Sequence, residues 1–259
     1  MDDKMKKGQV TIMIIVAIAI VAFILIFFLL KTKIKIDLPG GSESVFDYES
    51  YAKKCVRDYT EEALDLMIKQ GGFLQPKNGK LFNNTNIEYL CYSKANYEKC
   101  VNQHPLLIKE MKIELKEYLG PKIKECLLDM KRDFENRNAQ VLFNSENPEI
   151  NVDFNDDRVN IEIDKEITIK KEGETRNYNK LNVEIQSPIY NLATIASEIA
   201  SQEAKYCYFE FVGFGIYYPR FSVNPYSVSG ETRIYSIRDN KTNKIMSIAI
   251  RSCAIPPGF

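Results

Sequence analysis

Tryptophan is absent from the chain and histidine occurs once, at His104. A lone histidine excludes the usual zinc centres built from two or three imidazoles, and leaves a Ser-His-acid triad a single base to draw on. No Cys-x-x-Cys pair is present, so paired-cysteine zinc ribbons and thioredoxin-type redox motifs are also excluded. Nor is there a glycine-rich phosphate loop or a Gly-x-Ser-x-Gly elbow. Excess charge is missing as well. Lys plus Arg and Asp plus Glu each number 35; six of the bases and two of the acids lie at or before Lys35, which leaves 29 bases and 33 acids beyond it, a net of −4. Such a body carries no electrostatic footprint for DNA or RNA, and no nucleic-acid partner is expected. With 45% apolar residues, twelve Gly and ten Pro, the chain is neither disordered nor collagen-like.

One long apolar run is present. Val10 to Leu30 contains no charge, proline or glycine. At ~1.5 Å per residue its 21 positions reach ~31 Å, about one hydrocarbon core. It exceeds a cleavable secretory h-region and is apolar on every helical face, so it predicts a single membrane span. Three lysines flank it on each side, which leaves the charge rule silent on orientation. The six cysteines of the large polar portion favour an oxidising compartment, with the N-terminus cytoplasmic and the C-terminal domain outside.

Lys6-Lys7-Gly8-Gln9-Val10-Thr11 sets a basic pair and a glycine directly before this run. The arrangement resembles the class III signal of archaeal type IV pilin-like proteins, over the first thirty residues only. The resemblance implies cutting between Gly8 and Gln9 by a prepilin-type peptidase, with the apolar helix retained as anchor or filament stem. The chain departs from the pilin pattern at the fifth mature position, where Met13 stands for the frequent Glu. It departs again at Leu38-Pro39-Gly40-Gly41, which breaks a continuing stem.

The expected organisation is a leader (1–8), a transmembrane or stem helix (9–30), a linker (31–44), a mainly helical lobe (45–148) and an α+β lobe (149–259). Ser44 is the expected cap of a helix with Val45, Tyr48, Ala52, Cys55, Tyr59, Ala63, Leu66 and Met67 at helical spacing, ended by Gly71-Gly72. Residues 73–104 read as loop or a small hairpin. A second helix opens at Pro105 and is expected to break or kink at Gly120-Pro121. Period-two alternation from Glu149 to Ile185 predicts antiparallel hairpins. A third helix starts at Pro188; strands are expected near 206–218 and 231–252. The fold class is α+β, an extracytoplasmic domain of helices packed with antiparallel hairpins.

Six cysteines allow fifteen complete pairings. Cys55 and Cys126 fall on the apolar faces of two helices, Cys91 and Cys100 bracket a short loop, and Cys207 and Cys253 edge the last helix and hairpin. Those three pairings are favoured, in that order. Asp153-x-Asn155-x-Asp157 with Asp164 echoes a calcium loop, but Arg158 stands where that loop needs glycine, so a polar turn is the reading. Ser50-x-x-Lys53, Ser145-x-Asn147 and Lys241-Thr242-Asn243 follow the order of the penicillin-binding motifs without the final glycine. No catalytic, metal or cofactor residue is assigned. Asn83 and Asn240 head sequons, glycan acceptors on an exported chain. Phe209, Phe211, Phe214, Tyr217, Tyr218 and Phe221 make the C-terminal third rich in rings, which suits a core strand or a recognition surface. The function expected is a membrane-anchored, pilin-like surface protein with a structural or interaction role, whose partners are the lipid bilayer, the peptidase, and further copies or surface proteins. The alternatives are an anchored hydrolase of surface polymers using Ser/Lys or carboxylate chemistry, and an accessory or ligand-binding subunit of a membrane complex.

Overall fold

A computed structural model describes residues 20–21, 47–95, 97–229 and 231–253. The leader, the linker and the stem helix lie outside these residues, apart from the helical Ile20 and Val21, and so do Gly8 and Gln9. Among the described residues no helix is long and apolar enough to cross a membrane. The chain divides into two compact units, Met1–Val45 and Phe46–Phe259.

The second unit opens with α1 (Tyr48–Lys69). Its cap is Asp47, whose carboxylate accepts the Ser50 amide at 3.0 Å; Ser44 lies outside the described residues. Ala52, Val56, Ala63 and Met67 fall on one buried stripe at spacings of four and seven. The stripe packs against α2 (Leu107–Asn136), which runs the opposite way. Tyr51 at the start of α1 meets Phe134 near the end of α2, and Cys55 joins Cys126. The expected break at Gly120-Pro121 is corrected: α2 is continuous through Pro121. Leu115, Leu119, Ile123, Leu127 and Met130 keep one phase across it, while Pro121 and Glu117 are both exposed. The Glu117 carbonyl that loses its amide partner therefore faces water, where the loss is cheapest.

Two sheets flank the helices. The first has the order β1 (Gly79–Phe82), β2 (Thr85–Tyr92), β10 (Ile245–Arg251), β9 (Thr232–Asp239), β8 (Phe221–Val228), with β3 (Val101–Asn102) also on β2. All its pairings are antiparallel except β2 with β10, which is parallel. Of the loop or small hairpin expected over 73–104, the hairpin is present as β1 and β2, and β2 is a buried strand from Ile87 to Cys91. β2 lies beside β10, so strands from both sides of residue 148 share one sheet within the unit Phe46–Phe259.

The second sheet is built on β6 (Arg158–Lys171). Along one side β7 (Glu174–Gln186) pairs with it; along the other, β5 (Glu149–Asn155) pairs with Arg158–Asp164 and β4 (Gln140–Phe143) with Ile167–Lys170. A bulge falls between Asp164 and Ile167. The inward row of β6 is Val159, Ile161, Ile163, Lys165, Ile167 and Ile169, all buried, so one lysine occupies an apolar row. Its ammonium donates to the carbonyls of Ser145 (2.7 Å) and Glu146 (3.4 Å), in the loop joining β4 to β5. Burial pushes this lysine's pKa below its ordinary value.

Helix α3 (Ile189–Tyr206) begins after Pro188 and packs on β2, β9 and β10 as well as on α1, α2 and β5. One apolar core therefore serves three helices and both sheets. The strand expected over 206–218 is corrected to α4 (Phe211–Tyr217). Glu210 caps it by accepting the Val212 and Gly213 amides, and Phe211, Phe214 and Tyr218 follow a helical spacing with Phe214 stacked on Phe209.

Candidate functional site

The single histidine lies in a groove of about 650 Å³. Four segments build it: the turn after α1 supplies Phe73, Leu74 and Gln75, β2 supplies Glu88, the loop after β3 supplies His104, and the first turns of α2 supply Glu110, Glu114 and Tyr118. Glu88 is 3% exposed, the one acid in the buried stretch of β2, and its carboxylate accepts the Asn78 amide at 3.1 Å. His104 is fixed at its amide, which donates to Asn102 Oδ1 (2.9 Å). Its ring contacts Glu110 Oε2 through Nδ1 (2.6 Å) and Glu88 Oε1 through Nε2 (3.4 Å), and the Phe73 ring lies 4.5 Å away.

Burial pushes the imidazole pKa down, but the Glu88 and Glu110 carboxylates outweigh it and the net shift is upward. With a carboxylate at each nitrogen, a protonated ring can donate from both sides. A ring held this way has no free lone pair and serves as a charge clamp between β2 and α2. Glu114 accepts the Gln75 amide through Oε1 at 3.0 Å, whereas its buried Oε2 has no partner. Lys77, Ile113 and Glu117 complete the lining, so acids, a lysine and apolar side chains share the groove. Among the described residues no group of three or more His, Cys, Asp or Glu is arranged to hold a metal ion.

All six cysteines stand in pairs at disulfide distance, with no free cysteine among the described residues: Cys55–Cys126, Cys91–Cys100 and Cys207–Cys253, with Cα separations of 6.5, 5.4 and 5.5 Å. Asn83 is exposed at the turn between β1 and β2. Asn240 is exposed between β9 and β10, and its side-chain amide donates to the Pro219 carbonyl at 3.1 Å. The acids of the calcium-like pattern are dispersed to cations: Asp153 accepts from Lys112 at 2.5 Å, and Asp157 from Arg220 and from Lys241 at 2.7 Å. Asp164 pairs across the sheet instead. The three penicillin-binding-like segments share no hydrogen bond among the described residues. Lys53 turns to Glu49, Ser145 to the Asn147 carbonyl and Lys241 to Asp157.

Two charged clusters had no sequence signal. Arg220 lies between Asp157 and Asp239, tying the β5–β6 turn to the start of β8; its bonds hold the Asp157 pKa below the ordinary carboxylate range. Glu203 of α3 is fully buried and takes both Arg233 Nη2 (2.8 Å) and the Tyr235 hydroxyl from β9. Burial nonetheless pushes its pKa up, against the pull of Arg233. Sequence spacing could not have joined groups nineteen to sixty-three positions apart. Set against known family models, curated proteins and solved structures, the chain matches none.

Proposed function

We propose that the chain is a membrane-anchored, pilin-like surface protein, its cysteine-bearing body outside the membrane in a structural or interaction role. One observation carries the reading: every cysteine is consumed in a pair at disulfide distance, in a chain that also holds a 21-residue uncharged apolar run. Such bridges persist where the environment is oxidising, and the run is long enough to hold the body to the bilayer. The pilin-like part of the proposal rests on Lys6-Lys7-Gly8-Gln9 alone. Met13 and the Pro39-Gly40-Gly41 breaker favour a solitary anchor over a fibre.

Topology and processing are tested together. Protease added to intact cells should remove the body, and non-reducing peptide maps should return the three cysteine pairs. Six free thiols, or a body protected until the cells are lysed, would defeat the assignment to the outside. Intact mass from the native membrane should begin at Gln9, and Gly8→Asp should leave Met1 in place. Retention of Met1 in the unaltered protein would remove the peptidase and keep the anchor. A second reading, an accessory or ligand-binding subunit, is favoured by the groove at His104, whose buried Glu114 oxygen lacks a partner.

A further inference from the structure

An uncharged, partly exposed apolar surface of the described body is formed by α4 and its flanks. From Phe211 to Tyr218 there is no charged residue, and no residue of α4 is fully buried. Phe211 and Phe214 turn toward the core, while Val212, Ile216, Tyr217 and Tyr218 face outward, Ile216 at 74% and Tyr217 at 83% exposure. The acid next to this surface is already occupied. Glu210 accepts two helix amides and the Tyr208 hydroxyl, so its charge is spent on the helix N-terminus. At the end of α3, Lys205 lies 4.9 Å from the ring of the exposed Tyr206. An aliphatic centre of Val212 and Ile216 beside the exposed Tyr217 and Tyr218 is the chemistry of the lipid–water boundary, where such rings sit at headgroup depth.

We propose that α4 and its tyrosines rest on the lipid surface of the same membrane that holds the N-terminal span. This builds on the anchored reading above, and tether length makes it feasible. A compact body of about 200 residues has a radius of gyration of ~17 Å, so it is ~45 Å across. The stretch from Lys31 to Phe46, about 16 residues, reaches ~50 Å when extended. That contour length exceeds the width of the body. A seven-residue helix grips lipid weakly by itself, but here the contact is intramolecular, and the effective concentration set by a short tether is of millimolar order.

The absence of tryptophan supplies the assay. Full-length Tyr217→Trp protein carries one indole on α4, and Leu142→Trp carries one on the exposed face of β4. Each is reconstituted into phosphatidylcholine vesicles with and without lipid brominated near the headgroup. The Tyr217→Trp emission should fall about twofold in brominated vesicles and shift to the blue, the Leu142→Trp emission should be unchanged, and adding Ile216→Asn should abolish the quenching. Equal quenching of the two reporters in protein that floats with the vesicles would overturn the α4 contact and leave the anchor intact. A blue shift without quenching that disappears on dilution in the membrane would assign the surface to a second copy and overturn the lipid contact. Protein that fails to float with the vesicles would overturn the anchor, and this proposal with it.

Discussion

Single residues govern how the protein responds to pH. His104 has a folded-state pKa above its free value, so its contribution to stability is complete below about pH 6.5 and drains away as pH rises through the folded value. Urea titrations should give a midpoint that falls as pH rises above about 6.5, and His104→Gln should flatten that slope. An unchanged slope would show that the clamp between Glu88 and Glu110 does not couple to folding. At the acid end Asp157, held low by Arg220 and Lys241, contributes above its unfolded pKa and loses that contribution as pH falls through the folded one. Asp157→Asn should therefore narrow the acid limb of the profile. None of this was legible in the sequence, because the partners come from distant strands. Lys165 illustrates the difficulty: alternation along β6 marks its position as inward, but only the gap between β4 and β5 explains why a charge can stand there.

At the scale of elements, periodicity was a good guide wherever a face is half buried. The alternation of β5, β6 and β7 and the stripes of α1 and α3 were all readable on that ground. It gave no guidance for β2, since a strand buried from Ile87 to Cys91 has no alternating face to display. Glycine and proline were over-read as punctuation in α2. Pro121→Ala should restore the amide that the Glu117 carbonyl lacks and raise stability by ~1–3 kcal/mol, measured by chemical denaturation. Gly71 is the opposite case. With φ at +82°, it ends α1 where an added Cβ would meet the backbone of Glu88 and the Ser247 carbonyl at 3.3 Å. Gly71→Ala should cost ~1–3 kcal/mol, because both the left-handed backbone and the seam of β2 with β10 resist it.

For the whole molecule, the bridges differ in what they close. Cys55–Cys126 spans 71 residues, Cys207–Cys253 spans 46 and Cys91–Cys100 only 9. On the chain-entropy account the two long loops are worth ~4 kcal/mol each and the short one ~2.5 kcal/mol. Paired Cys-to-Ala variants should rank in that order in thermal or denaturant unfolding; a larger loss from the short loop would point to strand pairing at β2 and β3 as the source. The sequence brought the right cysteines to mind because each sits at an identifiable helix face or element edge. Their joining of both halves into one unit was not legible, since that depends on the parallel seam of β2 with β10.

That first bridge also decides what happens when the chain is pulled by its N-terminal end. Tension arriving at Asp47 begins to unwind α1, yet Cys55 stands only two turns in. About eight residues can peel away, extending the chain by ~15 Å, before the load meets a covalent bond. From there the force passes through Cys126 into the middle of the long helix α2, which is wedged against the second sheet, and the rest of α1 is spared. With the bridge reduced, nothing covalent stops the peeling before Lys69, and the helix can be stripped from the core turn by turn. The bridge is thus a mechanical stop two turns into the first helix of the body.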